Sequence, residues 1–247
     1  MKYAISYLLV FVLFIGCSNK DKLTFDTLEI KEQTCTECPK IDINIPRLST
    51  ESKLAQSVNG SLKEELISLL VLDDEIELND IKDAIRSFNN GYTEMKTLFA
   101  DESASWEAVI KGKVVFEDAN LLTIALDSYL FTGGAHGYSR KSFLNFDKTK
   151  GTELENRELF SNMEKFKEFA EVKFREQEAI PENDPINNTG FMFEQDRFYL
   201  PENIGFTKEG LTLLYNPYEV ASFSDGTIEL VLLRKQIEQY LVKRTKP

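Results

Sequence analysis

Val109-Ile-Lys-Gly-Lys-Val-Val-Phe-Glu-Asp-Ala-Asn-Leu-Leu-Thr-Ile-Ala-Leu-Asp-Ser-Tyr-Leu-Phe131 is the stretch on which the reading of the fold turns. Residues 109–116 and 121–131 are rich in β-branched and aromatic side chains, and Glu117-Asp118-Ala119-Asn120 between them supplies turn formers, so two hairpin strands are predicted. In the second run Leu122, Ile124, Leu126 and Leu130 fall on one face, and Thr123, Asp127 and Tyr129 fall on the other. A third strand is predicted over about 139–147, after the Gly133-Gly134 break, and Lys148-Thr149-Lys150-Gly151 turns the chain again.

Upstream, the period changes from two to between three and four. Leu54, Val58, Leu62, Leu66, Leu69 and Leu70 recur at helical spacing, with Ser49-Thr50 as the expected cap and Gly60 as a weak point. Ile81, Ile85, Phe88, Tyr92, Met95 and Phe99 form a second stripe. Downstream, Met163, Phe166, Phe169, Ala170, Val172 and Phe174 predict a helix to about Glu178, residues 181–190 read as loop, and 211–215 and 227–232 read as strands. A short closing helix carries Ile237, Tyr240 and Leu241. Helices and strands in separate runs give an α+β class, mainly antiparallel sheet with packed amphipathic helices, in two halves, 40–145 and 146–247.

The first 39 residues are a different kind of chain. Lys2 precedes a thirteen-residue apolar run, 3–15, which is too short for a span of about 20 residues and reads as a secretory signal. Leu13-Phe14-Ile15-Gly16-Cys17 is the pattern cut by a lipoprotein signal peptidase, so residues 1–16 are expected to be removed and Cys17 to carry diacylglycerol. Several acyl chains, at about 0.8 kcal/mol per buried methylene, make a stable membrane anchor. Residues 17–39 then read as an acylated polar tether, and Ser18 after the acylated residue points to the outer membrane, on its periplasmic or surface face. Cys35 and Cys38 form a C-x-x-C pair open to three readings, a small-loop disulfide, a redox couple or half a metal site. A zinc site needs two further soft ligands, and His136 is the chain's only histidine, so no metal and no cofactor is expected.

Loss of Lys2 with the signal takes the formal net charge from −12 to −13. Such a surface repels nucleic acid and attracts basic proteins.

The segment Tyr129-Leu-Phe-Thr-Gly-Gly-Ala-His-Gly137 sets glycines 133, 134 and 137 around His136 near a strand end. Read functionally, His136 is a general base or ligand contact; read structurally, its ring nitrogens satisfy backbone groups of a glycine-rich crossover. The chain has no G-x-S-x-G elbow, no H-E-x-x-H, and neither nucleotide-binding glycine signature. A metal-dependent polysaccharide deacetylase needs at least two histidines and is likewise excluded.

Phe131-Thr-Gly-Gly-Ala-His-Gly137, Asn145-Phe-Asp147 with Lys150-Gly151, and Glu158-Leu-Phe160 resemble a family of bacterial envelope domains formerly of unknown function. The family is shared by the extracytoplasmic region of the lysozyme-sensing anti-sigma factor RsiV and the accessory region of the peptidoglycan deacetylase PdaC. Phe206-Thr207, Gly210-Leu211, Tyr215-Asn-Pro-Tyr-Glu219 and Gly226-Thr227-Ile228 are similar to its second half, and the resemblance runs over roughly 41–242. It implies an α+β fold of two halves and a non-catalytic binding role, with lysozyme-like wall-lytic enzymes or peptidoglycan as partner. The expectation is therefore a lipid-anchored envelope binding protein. Two alternatives stay open, a peptidoglycan hydrolase or esterase with a site near His136, Tyr129 and Asp127, and a structural assembly lipoprotein.

Overall fold

The computed structural model describes residues 23–73, 76–99 and 104–245. The signal peptide, Cys17 and the start of the tether lie outside the described residues.

The hairpin of the central stretch is present as β3 (Glu107–Glu117) and β4 (Leu121–Phe131), flanked by four further strands. In chain order the elements are β1 (Phe25–Glu32), β2 (Lys40–Leu48), α1 (Lys53–Leu70), α2 (Ile81–Leu98), β3, β4, β5 (Tyr138–Asp147), β6 (Thr152–Glu153), α3 (Asn156–Leu159), α4 (Met163–Gln177), β7 (Asn203–Phe206), β8 (Gly210–Tyr215), β9 (Ile228–Leu233) and α5 (Arg234–Ile237). Strands β1 to β6 form one sheet in sequence order, and β7, β8 and β9 form a second. All neighbours are antiparallel except β2 and β3, which run parallel because α1 and α2 make the crossover between them. The class is α+β, as the alternation of periods predicted.

Both upstream helices bury the expected stripes. Leu54, Val58, Leu62, Leu66, Leu69 and Leu70 of α1, with Ile85, Phe88 and Tyr92 of α2, pack on Ile41, Ile43, Ile45, Ile110, Leu122, Ile124, Leu126 and Phe146 of the sheet. The cap of α1 is Ser52, whose hydroxyl accepts the Ala55 N–H at 3.1 Å, rather than Ser49-Thr50. Met95 and Phe99 complete the α2 stripe in sequence but are exposed, because the sheet ends before the helix does.

The Thr123 face of β4 is covered over the first half of the strand. Thr123 and Ala125 are as buried as Leu122 and Ile124, because the second sheet lies across them. The Thr123 hydroxyl donates to Asn145 Oδ1 at 2.8 Å, and Asn145 Nδ2 donates to the Ile204 carbonyl at 2.7 Å, so a side-chain relay joins β4, β5 and β7. Close approach requires Gly205, where a Cβ would fall 2.3 Å from the Phe143 ring. A second core, Phe166, Ala170 and Phe174 of α4 on Phe206, Leu211, Leu213, Tyr215, Leu230 and Leu232, sits on the far side. Val172, placed in the α4 stripe by sequence, points outward.

Three further differences have physical causes. Residues 25–32, read as tether, pair along their length with β2; Phe25, Leu28 and Ile30 face the core while the interleaved charges face solvent. Strand β7 is only four residues long and contains a glycine, so it carries no pattern to detect. The closing helix stops at Ile237, and Leu241 instead bridges to Phe160.

Asn145→Ala strands the buried Ile204 carbonyl and Thr123 hydroxyl. It is expected to lower unfolding free energy by about 1–3 kcal/mol in urea titration. An unchanged midpoint would remove the relay from its structural role.

Candidate functional site

The β4–β5 turn is built by its glycines. Gly133 and Gly134 have φ of 100° and 83°, a region that favours glycine. Gly137 is required for a different reason, since a Cβ there would fall 2.5 Å from the Tyr129 ring. With the backbone so fixed, His136 stands exposed on the turn. Its ring stacks on Phe223, with centroids 4.0 Å apart and planes 16° apart. Nδ1 donates to the Gly137 carbonyl at 3.2 Å, which assigns the Nδ1–H tautomer. Phe223 in turn stacks on Tyr218, centroids 5.4 Å apart. A row of three rings therefore bridges the first sheet's glycine turn to the loop that follows β8.

Tyr218 is held there by a braced turn. Its φ is +72°, uncommon for a bulky residue. The Glu219 N–H donates to the Asn216 carbonyl at 3.0 Å, and the Asn216 N–H donates to Glu219 Oε2 at 2.9 Å. The Asn216 side chain acts as a one-residue strand on the edge of β5: Nδ2 donates to the Lys141 carbonyl at 3.0 Å and Oδ1 accepts the Lys141 N–H at 2.8 Å. Burial, with the nearby Glu202 charge, raises the Glu219 carboxyl above its ordinary range, against the lowering pull of two backbone N–H groups and of Arg140.

Beside the ring row lies a groove of about 700 Å³, lined among others by Tyr138, Arg140, Tyr199, Asn203, Tyr218 and Glu219. Tyr138 is 38% exposed and Tyr218 59%. The Tyr199 hydroxyl donates to the Glu219 carbonyl at 2.9 Å, and the buried Tyr215 hydroxyl donates to the Tyr199 carbonyl at 2.6 Å. Across Arg140 is a smaller recess of about 300 Å³ that includes Asp127 and Tyr129. Asp127 there faces Lys113 at 3.3 Å and Lys141 at 4.0 Å. Among the described residues His136 has no carboxylate partner, so the structure does not assemble His136 and Asp127 into a proton relay, although Tyr129 abuts the turn.

On the opposite side of the glycine turn, Tyr92, Lys96, Trp106, Gly133 and Gly134 line a cavity of about 480 Å³. Cys35 and Cys38 are joined as a disulfide close by, with Cα atoms 5.0 Å apart. That turn is pinned by Tyr92, whose hydroxyl donates to the Glu37 carbonyl at 2.6 Å, and by Ser105, whose hydroxyl donates to the Cys38 carbonyl at 2.7 Å. Among the described residues no group of three His, Cys, Asp or Glu side chains is placed to hold a metal ion.

Sequence reading found the glycines, His136 and Tyr129. It missed Phe223, which has no local signal, and Tyr218, which lay unremarked inside the Asn-Pro-Tyr-Glu turn.

Two measurements check this geometry. The lone histidine gives one assignable Hε1 resonance in tag-free protein, and Phe223→Ala is expected to remove its ring-current shift; an unmoved resonance would contradict the stack. For Glu219, a raised folded pKa means that its stabilising contribution is full below the unfolded carboxyl pKa, near 4.5, and is lost as pH rises through the folded value. Relative to Glu219→Gln, the wild type is therefore expected to lose denaturant resistance as pH rises above the ordinary carboxyl range, and parallel pH curves would refute the assignment.

The comparisons follow the two-part layout of the chain. Residues 32–139 match the family model described as "Deacetylase PdaC", and residues 157–235 match "Protein of unknown function (DUF3298)". Among solved structures, a DUF3298-family member from Bacteroides fragilis is 22% identical, covering 90% of this chain and 94% of its own, with a TM-score of 0.70. A DUF3298-family protein from Pseudomonas aeruginosa is 19% identical, covering 92% of this chain and 98% of its own, with a TM-score of 0.71. No curated protein matches. At these identities the solved structures show the shared fold alone. The chain is thus similar to the PdaC family model over its first part and to the DUF3298 model over its second, a pairing that indicates a cell-envelope-associated domain.

Proposed function

We propose that this chain is a lipid-anchored, non-catalytic binding module of the bacterial envelope, presenting the glycine-turn end to a basic wall-lytic enzyme of the lysozyme kind or to the wall glycan. The observation that carries the reading is the ring row His136–Phe223–Tyr218, a solvent-facing contact surface in which the lone histidine is committed to stacking. A general base needs a partner that orients it and a reactive group within reach. His136 has the Gly137 carbonyl to orient Nδ1, but one ring face is covered by Phe223, and Asp127 is engaged by lysines.

The matched family's name mentions a deacetylase. The metal-dependent kind needs at least two histidines, and this chain has one, which supports an accessory rather than catalytic part for the PdaC-type half. The mature charge of −13 suits fast, salt-sensitive association with a cationic protein. The anchor rests on the signal run and Cys17; no helix among the described residues is long and apolar enough to cross a membrane.

Residues 18–247 are expected to bind lysozyme saturably at low salt and to retain part of that binding near physiological salt, or to sediment with purified peptidoglycan. Absence of both would remove the proposed function, and lysozyme binding abolished by salt would reduce it to nonspecific charge attraction. Mass spectrometry of the processed N-terminus is expected to find diacylglycerol on Cys17, and a bare amine or a different first residue would remove the anchor.

A further inference from the structure

We infer that the 700 Å³ groove between Tyr138 and Tyr218 is a saccharide site that takes an uncharged stretch of N-acetylated glycan. The inference rests on the binding-module reading and names the ligand class of that surface.

Strand register gives the groove its direction. Phe25 pairs with Leu48 at one end of the large sheet, where Glu117, Leu121 and Asp147 also lie. Glu32 lies by Ile41, Lys40 by Glu107, Glu107 by Phe131, and Leu130 by Tyr138 at the other end. An anchor on Cys17 enters at the Phe25 end through eight residues, which reach at most about 29 Å when fully extended. The eleven residues of β4 place the glycine turn about 36 Å along the sheet from that end. Tyr138 and Arg140, at the start of β5, and the Tyr218 turn braced on Lys141 share the far end. The groove therefore lies at the end of the sheet remote from the point where a tether from Cys17 would enter.

Its lining selects the ligand. Tyr138 and Tyr218 offer exposed ring faces, while Arg140, Glu202, Asn203 and Glu219 supply polar groups of both signs. Among the described residues the Arg140 guanidinium is in no hydrogen bond or ion pair, so its five N–H donors are available. An apolar ligand would desolvate these groups without pairing them, which is costly. A polyanion would meet Glu202 and Glu219, and a basic segment would meet Arg140. A neutral sugar chain has C–H faces for the rings and hydroxyl and acetamido groups for the donors and carboxylates. Tyr218 is further kept outward at positive φ by a doubly hydrogen-bonded turn, and backbone strain of this kind collects at ligand-binding positions.

The test is calorimetric titration of the full chain, purified in detergent, with a β-1,4-linked N-acetylglucosamine tetramer at low and near-physiological salt. Saturable binding that is insensitive to salt is expected. Tyr138→Ala and Tyr218→Asn are each expected to weaken it by roughly three- to tenfold; asparagine tolerates positive φ and so keeps the turn. Val172→Ala, on the exposed face of α4, is expected to bind as the wild type does. No binding, or equal binding by both tyrosine variants and wild type, would overturn the inference. Retained binding to lysozyme or peptidoglycan with no response to the tetramer would sink the glycan assignment alone; loss of all three would sink the binding-module reading with it.

Discussion

The architecture depends on burying both faces of one hairpin. Strands β4 and β5 carry the helices on one side and the second sheet on the other, and a strand pair covered twice has no solvent to satisfy polar side chains. Thr123 and Asn145 are tolerated there because each finds a partner in the next layer, ending at the Ile204 carbonyl. The relay adds to the Asn216–Lys141 and Lys141–Glu229 links between the sheets, and it is the one buried between them. With it, their relative placement is set by directional bonds, and Gly205 lets the backbones approach closely enough for the bonds to form.

That fixed placement is what creates a surface at the seam. His136 belongs to a turn of the first sheet, while Phe223 and Tyr218 belong to loops of the second, so their stacking requires the sheets to be registered to a fraction of a ring width. Arg234 reinforces the same registration at the opposite end. Its guanidinium lies over the adjoining Phe116 and Phe206 rings, 4.9 and 5.1 Å from their centroids, donates to the Thr245 carbonyl at 3.1 Å and pairs with Asp118 at 3.4 Å. Two of its nitrogens are buried without a hydrogen-bond partner among the described residues, so the ring faces are their main compensation. A lysine would supply the charge but not the planar contact.

Much of this was legible in the residues. The 3.6-residue stripes of α1 and α2 and the turn at 117–120 are local signals, and the structure follows them. The covering of Thr123 was not legible, because alternation reports only that two faces differ in polarity, not that the more polar face is covered from elsewhere in the chain. Strand β1 was missed for the complementary reason: interleaved charges on an edge strand look like tether, although they protect that edge from pairing further. The glycine turn stood out because positive φ and close approach leave a compositional mark. Phe223 left none, since its importance arises from a tertiary contact that no local pattern encodes.

Under the proposed function, the seam serves recognition. A catalytic histidine gains from partners that hold its tautomer while leaving the second nitrogen aimed at a substrate in a water-poor cleft. Here the adjacent carbonyl does orient Nδ1, but one ring face is covered by Phe223 and the residue stands in solvent rather than in a water-poor cleft. Glu219, the groove carboxyl with a raised pKa, binds the Asn216 N–H and so maintains the turn that displays Tyr218. Glu219 and Tyr199 are thus engaged in shaping the groove, while Tyr138, Tyr218 and Arg140 are left to meet a ligand. The division of labour, polar groups bracing from behind and rings exposed in front, is that of a docking surface whose rigidity limits the entropy lost on binding.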